Sequence, residues 1–169
     1  MTSQWLNARG LAEIYIFTCR LELTSPAIFG SGDKDGFTDI SILRDLDTNT
    51  PLLSGSSLAG VIRNHLKQKG GSASADILFG SVGSDDDSEK NKVSKQSYVI
   101  FDESIALNND SVEIRDGVSI DPRSRTAEDG KKYDYEIVSK GTVFPIRIEL
   151  LVPIEKTAAK KVKTAFLVC

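Results

Sequence analysis

The segment Pro51-Leu-Leu-Ser-Gly-Ser-Ser-Leu-Ala-Gly-Val-Ile-Arg63 carries the clearest chemistry in this sequence. Ser54, Gly55, Ser56 and Ser57 head a stretch in which Leu58, Val61, Ile62 and Leu66 recur at helical spacing. The first turn of a helix leaves backbone N–H groups without intrahelical partners and adds the positive end of the helix dipole. With hydroxyls beside them, those amides form a seat for a phosphate oxygen. The same serines also suit plain N-capping, in which a hydroxyl accepts one orphan amide and no ligand is involved. Gly60, inside the helix, costs roughly 1 kcal/mol relative to alanine and asks for a reason such as the close approach of another backbone. Arg63 follows in the same helix, and Arg44, Arg123 and Arg125 pose the same choice: contact with a phosphate, or a surface pair with a carboxylate. Ile120, Pro122 and Tyr133 lie near the last two arginines, where they either wedge against an unstacked base or pack on a sheet.

Other chemistries are excluded by count. The single histidine, His65, and two cysteines, Cys19 and Cys169, give no spacing for structural zinc, a Cys–His nucleophile or a multi-histidine metal site. His65 falls at the edge of the helix's apolar side, the usual place of a partly buried structural histidine. A net charge of -3 with 27 % charged and 40 % hydrophobic residues describes a folded domain rather than an acidic tail or a polycation. Local basic clusters, rather than the total, would then have to bind any polyanion. No apolar run reaches the roughly 18–20 residues that span a bilayer, and Met1-Thr-Ser-Gln-Trp5 lacks the build of a signal peptide, so no membrane partner and a cytoplasmic location are expected.

The elements that must position these groups follow from periodicity. Leu11–Thr24 alternates as a strand with one buried face. Phe29–Asp39 holds Asp33, Asp35 and Asp39 among glycines and reads as a long loop, where an aspartate ordinarily caps or solvates a turn. Ile40–Asp45 reads as a short strand, Asp47–Pro51 as a turn, and Lys69-Gly70-Gly71 as the end of the helix. Residues 84–95 read as a solvated insertion of poor order. Tyr98–Asp102 is a buried strand, 112–127 is irregular, and Tyr133–Ser139 with Val143–Pro153 form a hairpin through Lys140-Gly141. Glu155–Phe166 is a closing helix with Ala159, Val162 and Phe166 on one side. A chain of 169 residues ordered this way predicts a single α+β domain, helices packed on one face of an antiparallel sheet.

The window Pro51–Arg63 resembles the proline, glycine-serine-serine-leucine, glycine, arginine signature of the RAMP superfamily of CRISPR-associated proteins. More narrowly, it is similar to the repeated backbone subunit of type III effector complexes. Arg44-Asp45, Leu78-Phe79-Gly80, Phe101-Asp102, Val118-Ser-Ile-Asp121, Arg125-Thr-Ala127, Glu136 and Gly141-Thr-Val-Phe144 agree in order, so the likeness runs from about Leu11 to Val152. It implies an RRM-like (ferredoxin-like) core, a β-hairpin thumb, and assembly with paralogous RAMP subunits and other effector-complex proteins along a guide RNA (crRNA). It also implies cleavage of single-stranded target RNA, with Asp39 at the place of the family's catalytic aspartate and Asp33 and Asp35 as second choices.

Under that resemblance Asp39 would hold Mg2+ or another divalent cation near a phosphate attacked by the RNA's own 2′-hydroxyl. A carboxylate with a pKa near 4 is too weak a base to do the work unaided at neutral pH. Ser54, Gly55, Ser56, Ser57, Arg63, Arg44, Arg123 and Arg125 become the implied RNA-binding set. Ser54 stands where the family has a second proline, and Ala59 where it commonly has a lysine. Family members also continue past the last helix into a glycine-rich segment and a closing strand that this sequence lacks. Two alternatives stay open: a backbone subunit that binds RNA without cutting, and a guide-processing endonuclease using His65 as its base.

Overall fold

The computed structural model describes residues 10–32, 38–81, 95–108 and 111–167. Asp33, Asp35 and nearly all of the 84–95 insertion lie outside them. In chain order the elements are β1 (Leu11–Glu22), β2 (Leu52–Leu53), α1 (Gly55–Gln68), α2 (Ser72–Leu78), β3 (Val99–Phe101), β4 (Ser104–Ile105), β5 (Val112–Ile120), β6 (Ala127–Val138), β7 (Val143–Pro153) and α3 (Lys156–Leu167). Sheet orders are β1-β7-β3, β2-β4 and β5-β6, and the registered pairs are antiparallel. The fold is α+β.

The chain divides into two compact units. One comprises residues 1–18, 54–102 and 147–169, the other residues 19–53 and 103–146, so that β1 and β7 each pass from one to the other.

The first unit holds all three helices. Its core is Leu66 of α1, Ala75 and Leu78 of α2, Val99 of β3, Leu150 and Val152 of β7, and Val162 and Ala165 of α3. The alternation Ile148, Leu150, Val152 puts one face of β7 onto the helices, while β3 aligns Val99 with Leu150 and Phe101 with Ile148. α2 is a helix that the sequence does not announce; seven residues after Gly70-Gly71 carry too little periodicity to declare it, yet Ala75 and Leu78 are fully buried. β1 is the correction on the other side. It is an edge strand whose Tyr15, Ile16 and Phe17 remain exposed, with Phe17 stacked on Phe166 at 5.0 Å and Lys163 bonded to Glu13 and Tyr15. The alternation marked a strand correctly but overstated its burial.

The second unit is built around the β5–β6 hairpin. Its register runs from Val112↔Val138 to Val118↔Lys132, then slips before Ile120↔Ala127. This corrects two expectations: 112–127 is strand and turn rather than irregular chain, and β6 pairs with β5, leaving β7 to β1 and β3. The reason is chemical. Val112, Ile114, Val118 and Ile120 alternate with polar residues, but Asp116-Gly117 interrupts the run and no residue of β5 is buried, so the pattern is too broken to declare a strand. The core here is Ile42, Leu53, Ala106, Ile137, Val138, Phe144 and Ile146, with Phe29 edge-on to Phe144 at 5.7 Å. Residues 40–45, expected as a strand, make single bridges only, Gly30↔Ile42, Ile40↔Tyr135 and Arg44↔Pro51.

Candidate RNA-cleavage site

The serine-rich opening of α1 lies in the first unit and is built as an N-cap. Ser54 has extended backbone (φ -69, ψ 140), its Oγ accepts the Ser57 amide at 3.2 Å, and its hydroxyl donates to Ser57 Oγ at 2.8 Å. Ser56 and Ser57 are exposed and no acidic residue sits in the first turn. Gly55 is buried: a Cβ there would run into the Phe101 carbonyl oxygen. Gly60, for which the sequence demanded a packing reason, has nothing within 4 Å of the position a Cβ would take. The close approach belongs to Gly55.

Arg63 is engaged within the same unit. Its guanidinium donates to the Gly80 carbonyl at 3.1 Å and to Asp76 at 3.4 Å, bracing the chain after α2. Lys67 also reaches Asp76, at 3.3 Å, and the two cations hold that carboxyl below its usual range, Lys67 contributing most. His65 is exposed rather than partly buried; its backbone carbonyl, which accepts from Lys69, is what the helix end uses.

Asp39 lies in the second unit, exposed, and it is held more tightly than a loop residue ordinarily is. The Asp39 amide donates to Asp134 Oδ1 at 3.0 Å, and the Asp134 amide donates back to Asp39 Oδ2 at 3.1 Å. From there residues 39–44 run beside β6. Ile40 donates to the Asp134 carbonyl at 3.2 Å, and Glu136 donates to the Ile40 carbonyl at 2.9 Å. The Glu136 carboxylate then takes the Ile42 amide at 3.0 Å and Arg44 at 2.9 Å. Because β6 pairs through alternate residues with β5, the amides of Asp134 and Glu136 face its other edge, which is why this segment can dock there.

Arg44 has a second partner, the Asn49 carbonyl at 3.0 Å. It thereby joins β6 to the turn Asp45–Thr50, where Thr48 donates to the Asp45 carboxylate through both hydroxyl and amide and holds that carboxyl below its ordinary range. Arg44 and Glu136 are a partly buried ion pair, and both guanidinium bonds are spent inside the unit.

The hairpin turn carries the remaining arginines. Asp121 Oδ1 accepts the Arg123 amide at 2.8 Å, its carbonyl accepts the Arg125 amide at 2.8 Å, and Arg125 has φ 58. Both side chains are exposed and neither joins an ion pair among the described residues. Tyr133 lies across Gly117, where a Cβ would meet its ring, and stands 5.9 Å from Tyr135.

Thus the sequence-nominated groups divide. Asp39 and Arg44 are brought together by β6; Ser54–Ser57 and Arg63 belong to the first unit; Arg123 and Arg125 sit at the turn. Asp134 was missed. Asp134-Tyr-Glu136 places two acids on one edge of a strand, a visible pattern, but nothing local names the segment they would bind.

As a cation site, Asp39 and Asp134 each keep one carboxylate oxygen without a partner among the described residues. No cluster of three potential ligands occurs among those residues. The free oxygen of Asp39 could hold a magnesium ion that keeps several waters, an open arrangement and not a closed cage.

A family model, that of the RAMP superfamily, matches residues 20–166, which covers both α1 with its serine-rich opening and the Asp39–Asp134 pair. No curated protein matches the chain.

Proposed function

This chain belongs to the RAMP superfamily, and from that membership we propose that it is a guide-RNA-binding backbone subunit of a type III CRISPR effector complex that cuts bound target RNA at Asp39. The coarser part, a CRISPR-associated RNA-binding subunit, is what the family carries. The observation that supports cutting is the fixed carboxylate: Asp39 is exposed, its Oδ2 is anchored by the Asp134 amide, and its other oxygen points free of any protein partner among the described residues.

RNA supplies its own nucleophile. The 2′-hydroxyl oxygen bonds to the adjacent phosphorus, the 5′-oxygen leaves with a proton, and the products are a 2′,3′-cyclic phosphate and a 5′-hydroxyl end. The protein must therefore hold the strand so that the 2′-oxygen lies in line with the leaving oxygen, which is positioning work. A divalent cation held by Asp39 would neutralise charge gathering on the phosphate oxygens. Arg123 and Arg125 offer cations without an ion-pair partner among the described residues for the backbone of the strand, and the α1 opening offers amides and hydroxyls for guide phosphates.

The test is Asp39→Ala in the assembled complex, followed on target RNA labelled at both ends. Loss of the cut at this subunit's position with target binding retained is the expected result; an unchanged cut there removes the catalytic claim and leaves an RNA-binding subunit.

A further inference from the structure

We propose that Asp134 is the positioning residue for Asp39, setting the carboxylate that the cutting reading requires. The inference rests on that reading but stands on its own geometry.

The two aspartates exchange backbone-to-carboxylate hydrogen bonds, 3.0 Å one way and 3.1 Å the other. The bond into Asp39 Oδ2 removes rotation of that side chain, and the bond from the Asp39 amide fixes the backbone from which it projects. Each neutral hydrogen bond of this kind is modest, yet those with a charged acceptor are roughly twice as strong. Two acids side by side repel, so the arrangement forms only because backbone donors lie between them. Asp134 also sits opposite Asp116 in the hairpin register, which places a third carboxylate on the same face of the ribbon.

The clamp is also divisible. Ile40 and Ile42 are held by the Asp134 carbonyl, the Ile40–Glu136 bond and the Glu136 carboxylate, none of which needs the Asp134 side chain. Removing that side chain should therefore leave 40–44 docked and free the Asp39 backbone, so that the bond from the Asp134 amide into Asp39 Oδ2 is left to hold the carboxylate on a looser base. Asparagine at 134 keeps both the backbone donor and an oxygen acceptor for the Asp39 amide, so it should restore the geometry.

The experiment compares Asp134→Ala and Asp134→Asn with Asp39→Ala. In the purified full chain, NMR hydrogen exchange of the Asp39 amide should quicken about two- to tenfold in Asp134→Ala, the factor expected for one lost hydrogen bond, with the Ile42 amide unchanged. Asp134→Asn should exchange as the parent does. In the assembled complex, single-turnover cutting should fall roughly ten- to hundredfold in Asp134→Ala with target affinity unchanged, and return in Asp134→Asn. If Asp39→Ala cuts normally, the catalytic reading fails, and with it the purpose assigned to Asp134. If Asp39→Ala is inactive while Asp134→Ala matches the parent in exchange and cutting, only the positioning role is overturned. If Asp134→Asn restores amide protection without restoring cutting, Asp134 acts on the reaction directly and the positioning role is likewise overturned.

Discussion

Alanine substituted at two glycines of one helix should move stability in opposite directions. At Gly60 the chain pays for glycine in a helix interior, and the space around a new Cβ is open. Removing the excess backbone entropy is worth about 0.5–1 kcal/mol. At Gly55 the new Cβ meets the Phe101 carbonyl and crowds Asp102, both backbone atoms of the strand exit beside the helix. Neither can swing aside as a side chain tip does, so the cost is that of overpacking, about 1–3 kcal/mol. For a chain of this size each kcal/mol shifts the melting temperature by roughly 2–4 °C. Gly60→Ala should therefore melt about 1–4 °C higher, and Gly55→Ala should melt lower by several degrees, in parallel calorimetric scans of the purified chain. The two ΔTm values should have opposite signs. A Gly60→Ala protein that melts below the parent would refute the reasoning, because no contact of the described residues could account for the loss.

Two further outcomes test how charge is used. Lys163 and Tyr15 hold the Glu13 carboxyl below its ordinary value of 4.5, so its contribution is present above that pH and is lost as pH falls through the lowered folded value. The melting-temperature gap between the parent and Glu13→Gln should accordingly be seen near neutrality and close toward pH 3; a gap that widens on acidification contradicts the pairing. For Arg44→Lys, one ammonium cannot span both Glu136 and the Asn49 carbonyl, so cutting should slow while target affinity and its salt dependence stay as in the parent. A phosphate contact at Arg44 would instead lower affinity and reduce the salt slope by about one, which a titration of RNA binding against salt reads directly.

Several features were legible because a local rule fixes them. Ser54 is an N-cap because a serine ahead of an apolar helical repeat has orphan amides to accept, and Lys69-Gly70 ends α1 with Gly70 at φ 83. β7 was legible because burial forces its alternation. What could not be read was long-range. β5 buries no residue that would pattern it, and the partner of a strand is invisible in its own residues. Asp39 was found through family placement, while the acid that holds it is 95 positions away in the chain. The close approach was assigned to Gly60 rather than Gly55 for the same reason: composition says that a glycine is costly, and only the neighbouring backbone says which one is needed.

The hairpin ties together the two demands that cutting a bound strand makes. Affinity for a polyanion needs cations that are exposed and unspent, and of the four arginines nominated from sequence Arg123 and Arg125 are exposed without an ion-pair partner among the described residues, whereas Arg44 and Arg63 are consumed by Glu136, Asn49, Gly80 and Asp76. Reactivity needs the reverse, a carboxylate that cannot wander, and the same β6 provides it through Asp134 and Glu136. From Thr126 at the turn to Asp134 is eight residues, at most about 26 Å of strand. On the proposed reading, a basic turn set apart from Asp39 would grip a different part of the strand from the one being cut. Binding strength and cutting geometry would then be set at different places on one ribbon, and a change at the turn should alter how firmly RNA is held without touching the residues that hold Asp39.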